Sequence, residues 1–222
     1  MKNICYSILL VMILSGCNKI DNYDAPGATL TGKVVDDLTN EMVQNSGPNT
    51  GTSIQLFEGN SKQPIVSNSF PDGHFVNAAL FPGSYKLFPL GAFKIVGDTV
   101  RLKISGITNT EVRVLPNLRL KATLQSISGT TATIKVDYSK VHSTEVINQL
   151  GVVWSTIDNP NITTFFGGGQ KMETVTSQNL TSGEKIISIT GLTAGTTYYI
   201  RGVGLTNNVG KYYNYTATIK TP

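Results

Sequence analysis

Apolar and polar residues trade places at every second position through most of this chain. Leu30, Gly32 and Val34 alternate with Thr31, Lys33 and Val35, the period of a β-strand. Ser53 to Phe57 puts Ile54 and Leu56 on one face, and Thr99 to Ile104 and Glu111 to Leu115 alternate again. In the second half the same pattern predicts strands over Leu118–Leu124, Thr131–Val136, Gly151–Ser155, Ile186–Thr190, Tyr198–Leu205 and Tyr215–Lys220. No long stretch sustains a 3.6-residue apolar period, so the pattern predicts an all-β protein. The alternation fails in three places. Ile8 to Leu14 is an unbroken apolar run, too short to span a bilayer as a helix. Residues 18–25 are polar and read as a tether, at most about 25–30 Å long when extended. Asp36 to Gly51 reads as a long polar loop.

The strongest turn signals lie in Pro71-Asp72-Gly73-His74-Phe75 and Leu80-Phe81-Pro82-Gly83-Ser84-Tyr85-Lys86-Leu87. Gly73 and Gly83 are expected to supply positive φ, with Phe75, Leu80, Tyr85 and Leu87 filling a core between the turns. Pro116-Asn117 marks a boundary, because proline interrupts a ladder and restrains the residue before it. The expected organisation is therefore two β modules over 26–116 and 117–222. Eighteen Lys and Arg against fourteen Asp and Glu give a formal charge of +4. The charges are interspersed and no run of five or six like charges occurs, which argues against a nucleic-acid partner.

Several segments resemble known families. Lys2, the apolar run and Leu14-Ser15-Gly16-Cys17 together look like a bacterial lipobox. That resemblance implies cleavage before Cys17, acylation of Cys17, and a mature chain of charge +3, because residues 1–16 remove Lys2 and no acid. Asp72-Gly73-x-Phe75 followed by Leu80-x-Pro82-Gly83-x-Tyr85-x-Leu87 resembles the carboxypeptidase-regulatory-like, or transthyretin-like, β-sandwich. Ile189-Thr-Gly-Leu192-Thr-Ala-Gly195-Thr-Thr-Tyr198 is similar to the E–F corner of fibronectin type III domains, with Tyr198 at the corner tyrosine and Ala194 in place of the usual proline. Gly151-Val-Val-Trp154-Ser155 resembles the central strand of that fold, with Trp154 in the core. These resemblances imply a leader over 1–16, a tether over 17–25 and a β-sandwich for each module. The combination resembles an uncharacterised family of two-domain Bacteroidetes lipoproteins associated with starch-utilisation-type glycan import at the outer membrane. Asp98-Thr99-Val100 fits a short O-glycosylation pattern of that group, and Asp21 and Asp24 are a poor match to its surface-export signal.

Residues fit for catalysis are few. Cys5 lies in the expected leader, so acylation would use the mature chain's only thiol and leave neither a disulfide nor a catalytic cysteine within a monomer. His74 and His142 fall in different expected domains and read as solvated turn residues, which disfavours a shared metal site or a histidine dyad. No Gly-x-Ser-x-Gly elbow occurs. The hydrolases of the transthyretin fold end in Tyr-Arg-Gly-Ser, whereas this chain reads Ile219-Lys220-Thr221-Pro222. Asp36-Asp37 and Asp21/Asp24 read as solvated acids rather than a glycosidase pair. Gly167-Gly168-Gly169-Gln170-Lys171 lacks the Gly-Lys-Ser/Thr ending of a phosphate loop and reads as a flexible loop tip.

The aromatic residues offer the one candidate binding chemistry. Phe165 and Phe166 flank the glycine run, and Tyr212, Tyr213 and Tyr215 precede the last expected strand. Flat apolar rings with polar neighbours suit sugar stacking, although ordinary sandwich packing explains them as well. The expectation is a non-catalytic, lipid-anchored outer-membrane protein without cofactor or metal. It would bind an oligosaccharide or a transporter partner in glycan capture; the alternative is a structural or assembly subunit of a surface complex that ignores sugars.

Overall fold

The computed structural model describes residues 24–48, 50–176 and 179–222, so Cys17, Asp21 and the expected leader lie outside the described residues. These residues form strands and connecting loops; no helix among them is long and apolar enough to cross a membrane. Strands β1 (Ala28–Asp36), β2 (Ser53–Glu58), β3 (Ile65–Asn68), β4 (His74–Leu80), β5 (Gly83–Leu90), β6 (Phe93–Ile95), β7 (Val100–Ile104) and β8 (Ile107–Pro116) build the first sandwich. Its sheets run β4-β1-β8-β6 and β3-β2-β5-β7. β1 and β8 pair in parallel from Thr29↔Ile107 to Asp36↔Val114, and the other pairs are antiparallel. Leu30, Val34, Ile54, Leu56, Phe75, Tyr85, Leu87 and Val112 close one continuous core between the sheets.

The second sandwich comprises β9 (Leu118–Ser128), β10 (Thr131–Lys140), β11 (Ile147–Ser155), β12 (Gly169–Thr174), β13 (Ser182–Ile189), β14 (Tyr199–Thr206), β15 (Tyr213–Tyr215) and β16 (Ile219–Lys220). A three-stranded sheet, β13-β10-β9, faces a sheet ordered β12-β11-β14-β15, with β16 also pairing β14. The fold is all-β, two sandwiches in tandem.

Three features depart from the sequence expectation. Gly73 takes φ +96°, where a Cβ would meet the Val43 carbonyl oxygen at 2.6 Å, but Gly83 opens β5 in ordinary strand geometry. A Cβ on Gly83 would reach nothing nearer than Tyr85 at 3.6 Å; the left-handed residue near this turn is Ala79, φ +59°. The glycine run is likewise no mobile tip. Gly169 opens strand β12 opposite Trp154, where a Cβ would lie 2.8 Å from the indole ring, and one on Gly168 would overlap the Trp154 carbonyl. Only glycines let the chain pass so close to the tryptophan. Third, the last expected strand divides into β15 and β16. Thr216 sits at the break and exchanges bonds with Gly202, its backbone N–H donating to the Gly202 carbonyl at 3.0 Å and its Oγ1 accepting from the Gly202 N–H at 2.9 Å.

The chain passes between sandwiches through a single residue. Asn117 separates β8 from β9, is buried, donates its N–H to the Ala92 carbonyl at 2.9 Å and accepts from Val141 N–H at 3.2 Å. This connection is not a linker in the flexible sense, because both backbone polar groups of the buried Asn117 are bonded.

Candidate functional site

Polar side chains meet where the two sandwiches touch. Asp36 ends β1 and Arg119 lies near the start of β9. The Arg119 Nε donates to Asp36 Oδ2 at 2.5 Å and Nη2 to Oδ1 at 2.9 Å, the bidentate fit of a planar guanidinium to a carboxylate. Asp36 is therefore not the solvated loop acid expected from sequence: its side chain is 5 % exposed. Burial pushes the Asp36 carboxyl up, but Arg119 and the Leu38 N–H outweigh it and hold the pKa below the usual carboxylate value. Asn214 of β15 donates to the Ala92 carbonyl at 3.0 Å and accepts from Leu118 N–H at 3.1 Å. His142 is half-buried here, with Nε2 3.3 Å from the Leu115 carbonyl, rather than solvated.

Arg201, in the middle of β14, is the least foreseeable member of this junction. Its side chain is fully buried. Nε donates to the Thr216 carbonyl at 2.8 Å, Nη1 to the Asn45 carbonyl of the first sandwich at 2.9 Å, and the guanidinium lies 4.6 Å from the centre of the Tyr215 ring. Nη2 has no partner. Burial pulls the Arg201 pKa down to about 10 against the opposing influence of Tyr215 and Asp158, so it remains charged at neutral pH. Burial also pushes the Tyr215 phenol up to about 12.

Beside this junction runs a groove of about 570 Å³. Asp36, Glu41, Met42, Val43 and Gln44 of the first sandwich line one side, and Arg119, Leu120, Lys121, Ala122 and Ile219 of the second line the other, so polar and apolar residues are interleaved. A second, shallower groove of about 450 Å³ crosses the outer face of β4-β1-β8. There His74 Nδ1 lies 2.5 Å from Asp72 Oδ1, its ring stacks on Phe70 with centroids 4.2 Å apart, and Lys33 pairs with Glu111 at 2.8 Å. His74 and His142 lie in different sandwiches, and no three of His, Cys, Asp and Glu gather into a metal site among the described residues.

The aromatic candidates separate. Val153, Val203 and Tyr215 form a cluster on the outer face of β11-β14-β15, with half-buried Phe165, Tyr213, Met172 and Ile162 packed against it. Phe166 stands beside the cluster with 73 % of its surface exposed. Tyr215 is only 5 % exposed, because it packs over Arg201, and so presents no face for stacking. Tyr212 turns to the junction near Phe93 and Thr52. Trp154 and Tyr198 belong to the inner core, and the Tyr198 hydroxyl accepts the Thr193 N–H at 3.2 Å across the corner.

Comparison with known proteins follows the same division. Residues 28–115 match the model of the N-terminal domain of DUF3823, a family of proteins of unknown function. The matched span coincides with the first sandwich and is less than half of the chain. Solved structures resemble the chain over both sandwiches. A DUF3823 protein from Bacteroides uniformis superposes with a TM-score of 0.77 at 17 % identity, covering 88 % of this chain and 99 % of its own. A second B. uniformis structure, described as a candidate carbohydrate binding protein, gives 0.75 at 17 % identity, covering 88 % and 99 %. A DUF3823 protein from Parabacteroides merdae gives 0.74 at 18 % identity, covering 90 % and 100 %. At these identities the likeness is one of fold. No curated protein matches the chain.

Proposed function

We propose that this chain is a non-catalytic accessory protein, lipid-anchored at Cys17 to the outer membrane, that binds an oligosaccharide in the groove beside the sandwich junction and serves glycan capture. The groove itself carries the reading. Its volume of about 570 Å³ lies within the ~300–1,000 Å³ of small-molecule sites. Its lining mixes carboxylate, amide, guanidinium and ammonium groups, which can bond hydroxyls, with apolar side chains that suit the C–H faces of a sugar ring. The fold-level neighbour described as a candidate carbohydrate binder supports the same class of ligand.

The groove's acids argue for binding rather than hydrolysis. A glycosidase needs a carboxylic acid with a raised pKa, whereas Arg119 holds Asp36 ionised. Glu41 joins no ion pair among the described residues and can accept hydrogen bonds from a ligand.

Affinity electrophoresis of the folded chain against a panel of soluble glycans tests the proposal. At least one glycan should retard the protein, and Glu41→Ala or Gln44→Ala should weaken retardation about tenfold, the cost of one or two good polar contacts. Retardation by none of the glycans would refute sugar binding and favour the assembly-subunit reading. A response to Phe166→Ala alone would move the site to the exposed aromatic edge. Radiolabelled palmitate incorporation that disappears in Cys17→Ala tests the anchor, and protease treatment of whole cells reports which membrane face holds the sandwiches.

A further inference from the structure

The first sandwich has two unlike poles. At one, Asp36 and Pro116 end their strands against the second sandwich. At the other lie the start of β1, the β4–β5 turn and the β7–β8 turn, tied by Thr29 N–H to the Gly106 carbonyl at 2.8 Å and by Ala28↔Leu80 and Gly83↔Ile104. The chain arriving from Cys17 enters the fold at this second pole, after eleven residues that reach at most about 40 Å.

That pole is both apolar and basic. Phe81 in the β4–β5 turn and Ile107 at the start of β8 flank β1 on either side and are 42 % and 77 % exposed. Around the corner, on the outer face of β5-β7, Lys86 stands directly opposite Arg101, and Lys103, opposite Ser84, follows two pairs nearer the pole. They line a trough of about 530 Å³ with Ser84, Gly59 and Asn60, and Lys62 lies in the adjoining β2–β3 turn. Like charges facing each other across a ladder destabilise a sheet. None of these four cations joins an ion pair among the described residues, where the nearby acids by strand position are Glu58, opposite Tyr85, and Asp98, just before β7. The Lys86–Arg101 repulsion calls for an external anion.

We infer that this pole is a second membrane contact: Phe81 and Ile107 enter the headgroup layer while Lys86, Arg101 and Lys103 engage lipid phosphates. Exposed apolar tips with flanking cations have the chemistry of interfacial binding. The inference rests on lipid anchoring at Cys17, which brings the pole to the bilayer. Its consequence is orientation: with the anchored pole down, the junction groove is held at the far end of the first sandwich.

Sedimentation of the folded chain lacking its acyl group with vesicles isolates this contact from the anchor. Vesicles of phosphatidylcholine with phosphatidylglycerol should retain the protein, and pure phosphatidylcholine vesicles should retain much less. Replacing Arg101 and Lys103 by Ala should weaken anionic-vesicle binding about 25-fold, roughly fivefold for each charge. Phe81→Ala should weaken it on both vesicle types, and neither variant should melt below the parent. Equal binding to the two vesicle types, or indifference to the Arg101/Lys103 change, overturns the proposal. Binding to polygalacturonate but not to vesicles also overturns it and assigns the trough to an acidic glycan. Palmitate incorporation decides the anchor separately: acylation without vesicle binding refutes the docking pole alone, and vesicle binding without acylation refutes the anchor alone.

Discussion

The two sandwiches bury their apolar residues differently. The first closes one continuous cluster between its sheets, from Ala28 to Val114. The second divides into three, and the Val153–Val203–Tyr215 cluster lies outside the sandwich, on the outer face of the larger sheet. That sheet is thus used twice. Val152 and Ile200 face inward to the domain's own core, while Val153, Arg201 and Val203 face outward, and Arg201 meets the first sandwich through Asn45. The first sandwich is finished by its own residues, whereas the second leaves part of one face to be covered by its neighbour.

The comparison is broken most directly at Arg201. Arg201→Ala leaves the Thr216 and Asn45 carbonyls without a donor and opens a hole beneath Tyr215, and should cost about 3 kcal/mol. Arg201→Met, which refills the volume without the bonds, should recover part of that loss. Calorimetry that finds Arg201→Ala as stable as the parent would show that the outer face needs no cover.

The next largest effect belongs to Asp36. Asp36→Asn should cost about 2 kcal/mol at neutral pH by weakening the bidentate pair with Arg119. Because the folded-state pKa lies below the ordinary 3.8, this stabilisation is complete above 3.8 and is lost as pH falls through the lower, folded-state value. The melting temperatures of parent and variant should therefore converge only in strong acid. A gap that stays constant throughout the acid range would exclude the carboxylate as its source.

Gly169→Ala sharpens the contrast within the second sandwich. A methyl group 2.8 Å from the Trp154 ring must displace β12 or the indole, at about 1–2 kcal/mol. A melt unchanged by the substitution would return the glycine run to the status of a free loop. The smallest effect is expected at Phe166, whose exposed ring should be replaceable by alanine within about 0.5 kcal/mol. A larger loss, measured by the same melt, would place it in the packed cluster with Phe165.

The strands visible from sequence are the ones that bury a row of side chains. β2 and β10 alternate because one face of each lies in a core. β3, β6 and β12 escaped notice because each is an edge strand with no fully buried residue, so little in its sequence separates an inner face from an outer one. The junction was hidden for another reason. Arg119 finds Asp36 across 83 positions and Arg201 finds Asn45 across 156, and no local pattern reports a partner so distant. Arg201 left one trace, a lone cation between Ile200 and Gly202 in an otherwise apolar strand. The groove inherits this difficulty, since Glu41 and Gln44 become a wall only when β9 and β15 arrive opposite them.

The parallel pairing of β1 with β8 has a mechanical consequence. The chain enters the first sandwich at Ala28 and leaves it at Pro116, at opposite ends of two adjacent, co-directional strands. Tension between an anchored leading end and a loaded second sandwich would pull these strands past one another lengthwise. The ladder from Thr29 to Asp36 would then bear the force all at once, in shear, rather than open bond by bond like a zipper.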